Sequence, residues 1–176
     1  MNMVKSHSAK VCILKDVQIL VVDNHIDTRS LYSALLENLG ANVTTAGSIK
    51  EALNLLDSLL PDILITEMTF QGETSDLLIQ KLKYIALAND ISIPILVTST
   101  CSTSSIAQYP KLDVKAYLQK PIDIDHLVCK IWSLIQQAKI THPPRIQDWI
   151  KKEKISKKPS NRTIADQSHQ ITQLVQ

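Results

Sequence analysis

A doubly wound α/β fold is what this sequence predicts: a five-stranded parallel sheet in the order 2-1-3-4-5, with helices on both faces. Three observations carry it. Short aliphatic runs alternate five times with segments of helical period, and parallel strands need such crossovers. Three of the runs end in polar or charged residues. Ile19 to Val22 leads into Asp23-Asn24, Ile63 to Thr66 into Glu67, and Ala116 to Gln119 into Lys120-Pro121. Polar ends of this kind belong at the carboxyl edge of a parallel sheet, near the switch point between its first and third strands. Finally, hydrophobic residues make up 44% of the chain but aromatic ones only 4%. The core must therefore be Ile, Leu and Val, as in strands buried on both faces.

The elements follow in order. Residues 1–15 show no period and are expected to form a flexible leader. Val17 to Val22 is the first strand. Asp27 to Leu39 carries Leu31, Leu35, Leu36 and Leu39 at helical spacing and stops at Gly40. Val43 to Ala46 is the second strand. Ser48 is placed to cap a helix, with Glu51 three residues on completing a capping box. That helix carries Ile49, Leu53, Leu56 and Leu60 and is expected to end at Pro61. Ile63 to Thr66 is the third strand, and Asp76 to Ala88 a helix with Leu78, Leu82, Ile85 and Ala86 facing in. Ile93 to Thr98 is the fourth strand, with Pro94 tolerable near its start. The polar run Ser99 to Ser105 leaves room only for a short helix before Tyr109. Val114 to Leu118 is the fifth strand. Asp123 to Ala138 is the last helix of the body, with Ile124, Leu127, Val128, Ile131 and Leu134 on its apolar side.

Pro143-Pro144 breaks this alternation. The organisation is thus a leader over 1–15, a domain over 16–138, and a basic tail over 139–176 that is partly disordered or built of short helices. From Gln136 onward there are eight Lys/Arg against three Asp/Glu, and before it eleven against fourteen, so an acidic body carries a basic tail. No apolar run approaches a membrane span, and the first residues do not read as a signal peptide. Cys12, Cys101 and Cys129 are odd in number and scattered, as expected of reduced thiols in the cytoplasm rather than a disulfide framework or zinc site.

The three charged strand ends resemble the receiver domain of two-component response regulators, over about Val17 to Gln137. The resemblance implies a flavodoxin-like (CheY-like) fold and a role in phosphorelay signal transduction as a signalling module, not an enzyme. In that family two adjacent acids after the first strand and a phosphoacceptor aspartate after the third hold one Mg²⁺. A hydroxyl residue after the fourth strand and a lysine after the fifth contact the phosphoryl group. The matching positions here are Asp23 and Asn24, Glu67, Ser99 and Lys120, and Tyr117 falls where an aromatic reports the switch state. Ser99 rather than Thr98 takes the hydroxyl position by its spacing from Pro94.

Three departures change the expected chemistry. Asn24 replaces an acid, which leaves Asp23 and Glu67 as metal ligands and makes Mg²⁺ binding weak or absent, because this hard cation favours carboxylates. Glu67 replaces the phosphoacceptor aspartate, so its carboxylate lies one carbon–carbon bond further out, about 1.5 Å. Gln71 and Ser75 stand where the family's loop has proline and glycine. Two readings of Glu67 stand side by side: a pinned, phosphorylation-independent switch, or a decayed site neutralised by Lys120. A working phosphoacceptor with reduced Mg²⁺ affinity is the alternative.

Other candidates carry less. His25 has no partner histidine or cysteine at metal-ligand spacing and reads as a solvated loop residue, and His126 as a surface one. Ser99 has no histidine placed for a triad. With Gly40, Gly47 and Gly72 the only glycines, no phosphate-cradling motif is present. The lysines from Lys151 to Lys158 could touch phosphates, but a solvated basic tail explains them as well, so nucleic acid is not the expected partner. The expected partners are a histidine kinase or a downstream signalling protein, with a homodimer also open and no membrane involved.

Overall fold

The computed structural model describes residues 12–70, 73–100 and 114–141. The strands and helices are β1 (Gln18–Val22), α1 (Ile26–Asn38), β2 (Asn42–Ala46), α2 (Ile49–Leu55) and β3 (Ile63–Glu67). A two-stranded ribbon follows, β4 (Thr69–Phe70) and β5 (Glu73–Thr74), then α3 (Asp76–Asn89), β6 (Ile95–Ser99), β7 (Ala116–Gln119) and α4 (Ile124–Thr141). The main sheet runs β2-β1-β3-β6-β7 with every pairing parallel. Setting the ribbon aside, that is the 2-1-3-4-5 order the sequence predicts. The chain divides into two units, Met1–Pro143 and Pro144–Gln176. The second unit, with the expected basic tail beyond Thr141, lies outside the described residues. So does the short helix expected before Tyr109.

Strand side chains alternate between the two faces, and the core divides accordingly. Ile19, Val21, Ile63, Ile65 and Leu96 pack with Leu36 of α1 and Leu127 and Ile131 of α4. Leu20, Val22, Leu64, Ile95 and Val97 pack with Ala52 of α2 and Leu78, Ile79 and Leu82 of α3. Two aliphatic layers thus clamp one sheet, and β3 is buried along its whole length.

Several local expectations need correction. In α1 it is Tyr32, not Leu31, that turns inward; Leu31 is exposed. Both lie at helical spacing from Leu35 and Leu36, so periodicity alone does not choose between them. Helix α2 ends at Leu55, well before Pro61, and Leu60 is exposed. At that end, Lys81 of α3 donates from Nζ to the Leu53 carbonyl at 2.7 Å and to Asp57 at 2.6 Å. It thereby satisfies a carbonyl left open at the end of the helix. The capping box is also shifted by one residue. Ser48 Oγ accepts from the Glu51 amide at 3.2 Å, while the Glu51 carboxylate accepts from Gly47, not Ser48, at 2.7 Å. In α4, Ile124 is exposed and Ile135 is buried in its stead.

The leader expected over 1–15 reaches too far. Leu14 is 0% exposed and belongs to the core layer under α1 and α4. Its amide donates to the Leu39 carbonyl at 3.0 Å, and that of Asp16 to Gly40 at 3.2 Å. Gly40 is needed for this: its φ is +94°, and a Cβ there would lie 3.1 Å from Cys12 Cβ and 3.2 Å from Lys15 Cα.

Two stability outcomes follow. Leu14→Ala should cost about 2–4 kcal/mol in urea unfolding, as a core truncation does, whereas in a solvated leader it would cost almost nothing. Ser75 is buried, and among the described residues its hydroxyl has no hydrogen-bond partner and makes no cap bond to α3. Ser75→Ala should therefore stabilise the fold by about 1 kcal/mol; unchanged or lower stability in the same assay would contradict this account of the hydroxyl.

Candidate functional site

The ends of β1, β3 and β7 converge on one cluster. Val22 is in register with Thr66, so the next residues, Asp23 and Glu67, are neighbours at the carboxyl edge. Both continue the strand face that carries Ile19, Val21, Ile63 and Ile65, and both are buried, Asp23 to 1% exposure and Glu67 to 6%. Lys120 follows β7, beside a cis bond to Pro121, and its amide donates to the Ser99 carbonyl at 2.7 Å.

The Lys120 ammonium lies between the two carboxylates. It donates to Asp23 Oδ2 at 2.7 Å and to Glu67 Oε2 in an equally direct contact. Each carboxylate uses its other oxygen locally. Asp23 Oδ1 accepts from the His25 amide at 2.8 Å, and Glu67 Oε1 from the Met68 amide at 3.0 Å. Such charge-assisted bonds compensate for taking the groups out of water. Burial works against the charged ammonium and is the largest single influence on it. The hydrogen bonds and attraction from Asp23 and Glu67 together outweigh it, so Lys120 is held above the usual lysine value.

Two further α1 residues complete the cluster, and the sequence reading missed both. Tyr32 is buried close enough to feel all three charges. Burial raises its hydroxyl above the ordinary value, Lys120 acts to lower it, and Asp23 and Glu67 reinforce the rise. Arg29 donates from a guanidinium nitrogen to the Asp23 carbonyl at 2.5 Å. Its guanidinium also lies where a Cβ on Gly47 would stand, 3.2 Å away. The Tyr32 signal was present in the four-residue step to Leu36; nothing in the sequence singles out Arg29.

The remaining expected site residues lie apart from this cluster. Asn24 is exposed and lines a neighbouring cleft with Gly47, Ser48, Ile49, Phe70 and Glu73. Ser99 is buried at the end of β6, two residues after Val97, so strand alternation places it on the α2–α3 side. Tyr117 packs on that same side. Thr98, which spacing set aside, is the residue in register with Glu67.

The donor set does not suit Mg²⁺. Asp23 and Glu67 each give an oxygen to Lys120, Asn24 supplies no charge, and a hard divalent cation favours carboxylates. Among the described residues no group of three or more His, Cys, Asp or Glu is arranged to hold a metal. The arrangement places one internal ammonium between two buried carboxylates.

Lys120→Met should cost about 3 kcal/mol or more at neutral pH, since it strands two buried acids, as read by urea unfolding. The lysine's folded value is raised above its ordinary 10.5. Its stabilisation is therefore full below that pH and is lost as pH rises through the raised value, so the gap between wild type and variant should narrow in alkali. A gap that widens there would contradict the ion-pair account.

Comparison with known proteins agrees with this architecture. The family profile of the response regulator receiver domain matches residues 19–131, more than half of the chain. An uncharacterized 14.6 kDa protein in the sodA1 3′ region of Leptolyngbya boryana is 32% identical over 132 residues, covering 74% of this chain and 96% of that protein. The transcriptional regulatory protein ZraR of Escherichia coli K12 is 34% identical over 118 residues, 64% of this chain but 25% of its own length. The virulence transcriptional regulatory protein PhoP of Shigella flexneri is 27% identical, and the match spans 53% of it. The chain therefore spans only about a quarter to a half of these two regulators. The Vibrio cholerae chemotaxis protein CheY4 superposes with a TM-score of 0.61 at 22% identity, over 68% of this chain and 98% of that one. A CheY-like receiver domain protein from Methanospirillum hungatei JF-1 gives 0.64 at 16%, over 72% and 99%. With its sheet order, its charged carboxyl edge and this profile match in agreement, the chain belongs to the response regulator receiver domain family.

Proposed function

We propose that this receiver works in or beside a phosphorelay through protein–protein contacts and without being switched by phosphorylation. The observation that carries the reading is the Lys120 ammonium shared by Asp23 and Glu67. In a phosphoaccepting receiver the lysine is needed for the incoming phosphoryl group and the acids for a metal. Here the lysine and both acids are engaged with one another.

The geometry of Glu67 points the same way. Its carboxylate stands about 1.5 Å further from the backbone than an aspartate's would. Phosphoryl transfer depends on in-line positioning and charge stabilisation, and a misplacement of about 1 Å can cost roughly 100-fold. Glu67 also holds a fixed negative charge against Lys120. That contact is required both by a pinned site and by one that Lys120 merely neutralises. As a binding module rather than an enzyme, the protein would meet a histidine kinase or a downstream signalling protein in the cytosol. No described helix is long and apolar enough to cross a membrane.

A second reading has one observation in its favour. Asp23, Glu67 and Lys120 do meet at one place, so a phosphodonor that displaced the lysine would find two carboxylates to attack from.

Incubation with Mg²⁺ and a small phosphodonor such as acetyl phosphate, followed by intact-mass spectrometry, separates the two. Wild type should stay unmodified. Glu67→Asp should gain one phosphate if Glu67 alone blocks the site, and none if Asn24 and the altered loop block it as well. A phosphorylated wild type would overturn the proposal, and mapping would then decide between Asp23 and Glu67.

A further inference from the structure

Every second residue of a parallel strand turns its amide and carbonyl to one neighbour, and the residues between turn theirs the other way. β2 is the last strand on one side of the sheet. Asn42 donates to the Val17 carbonyl at 2.8 Å, and Ala46 accepts from the Asp23 amide at 3.1 Å. Asn42, Thr44 and Ala46 therefore face β1, in an unbroken register from Gln18 with Asn42 to Val22 with Ala46. Val43 and Thr45 face away from the sheet. Among the described residues their amides and carbonyls have no partner. The strand is exposed at Asn42 and only half-buried from Val43 to Thr45.

An open edge of this kind is a template for a further strand, and proteins commonly guard theirs with lysine, proline or a bulge. β2 has none of these. It runs from Asn42 to Ala46 without a charged residue or a proline, and it pairs one for one with β1. The opposite edge is different: β7 is flanked by Lys115 and by Lys120-Pro121.

The ends of the open stretch decide what fits it. The next outward positions are Ala41 and Gly47, and both have spent their donors. The Ala41 amide donates to the Leu36 carbonyl at 3.1 Å, and the Gly47 amide to the Glu51 carboxylate at 2.7 Å. Open donors at Val43 and Thr45 are thus bracketed by closed ones, symmetrically about Thr44. This pattern is its own image under a twofold axis through Thr44. With a second β2 laid antiparallel, Val43 faces Thr45 of the copy and exchanges both bonds with it, and spent donors face spent donors. Thr44 meets its own counterpart at a non-hydrogen-bonded position, where cross-strand side chains come closest. The pairs nearest the axis are β-branched, and no like charges are brought together within the strand. A longer foreign strand would instead run into the closed donors at Ala41 and Gly47.

We propose that the protein forms a twofold dimer through β2, with one sheet continuous across both copies. The contact is isologous, the same surface on each copy. Only Val43 and Thr45 bond across the axis, so the interface is small and the dimer weak, forming as concentration rises. Asp23, Glu67 and Lys120 are bonded to one another and take no part in it. The proposal therefore stands apart from the question of phosphorylation.

The test follows the full chain by sedimentation equilibrium from low micromolar to near-millimolar concentration. Hydrogen exchange is read at single amides, by fragmentation mass spectrometry, at both ends of that range. The mass should double with concentration. The Val43 and Thr45 amides should exchange freely in the dilute sample and gain about tenfold protection or more in the concentrated one. The Thr44 and Ala46 amides, bonded to β1, should be protected in both. Thr45→Pro removes an outward donor and no bond to β1, at a position where an edge strand accepts proline, and should stay monomeric. Thr44→Lys leaves the backbone donors in place but opposes like charges across the axis. It should also stay monomeric, and mixing it with Thr44→Glu should restore a dimer of one of each. A wild type that is monomeric at every concentration overturns the proposal, whether its Val43 and Thr45 amides stay open or are protected by another segment of the chain. So does a dimer that survives both Thr45→Pro and Thr44→Lys, or one whose added protection lies elsewhere.

Discussion

Two acids buried side by side are the constraint around which this domain is arranged. Asp23 and Glu67 sit at the ends of adjacent parallel strands, almost without solvent. Two such charges cannot share a dry site unless a cation joins them or one takes up a proton. The cation comes from the chain itself. Lys120 is placed by β7, two strands away from β3 across β6, and its backbone is fixed to Ser99 at the end of β6. The ion pairs therefore tie together the ends of β1, β3 and β7. The sheet order decides that these residues meet, and their meeting in turn holds the carboxyl edge closed.

At this edge the chain departs from the family's pattern at neighbouring positions, Asn24, Glu67 and Ser75. The Glu67 carboxylate makes a direct ionic contact with Lys120. Replacing the second acid by Asn24 lowers the negative charge, so that one ammonium comes closer to balancing what remains. After Glu67 the chain runs into the short β4–β5 ribbon, anchored by buried Phe70. Ser75, at the spacing where the family has glycine, pays with a buried hydroxyl that has no partner.

The sheet was legible because its signals are local. Three of the five strands, β1, β3 and β6, are runs of aliphatic residues that no other element explains, and the alternation of strands with helices leaves few topologies. The three charged strand ends were legible for the same reason, and they predicted the Asp23–Glu67–Lys120 meeting. What sequence could not show was contact between remote segments. Leu14 reads as part of a loose leader until Gly40 is seen to admit the chain beside it. Helix α2 reads as continuing to Pro61 until Lys81 is seen at the Leu53 carbonyl. Leu31 and Tyr32 are one position apart on a helix, and only the packing of α1 on the sheet decides which is buried. The positions of Thr98 and Ser99 depend on the same kind of fact. Spacing from Pro94 counts residues correctly, but which face each one meets follows from the register with β3.

A two-state switch needs an element with two arrangements of nearly equal free energy. Here the groups that would have to move are held from several sides. Asp23 is bound through its amide to Ala46, through its carbonyl to Arg29, and through its side chain to His25 and Lys120. Arg29 in turn lies against Gly47, which joins the loop after β1 to the turn into α2. Releasing Lys120 for another ligand would strand two buried carboxylates, and among the described residues no group of three acids, histidines or cysteines is arranged to recruit a metal in its place. The contacts around the site link the loop after β1 to α1 and to the turn into α2. Under the proposed phosphorylation-independent function, a surface built on those loops would serve as a fixed template, and the information it carries would lie in which partner it fits rather than in a change of its own state.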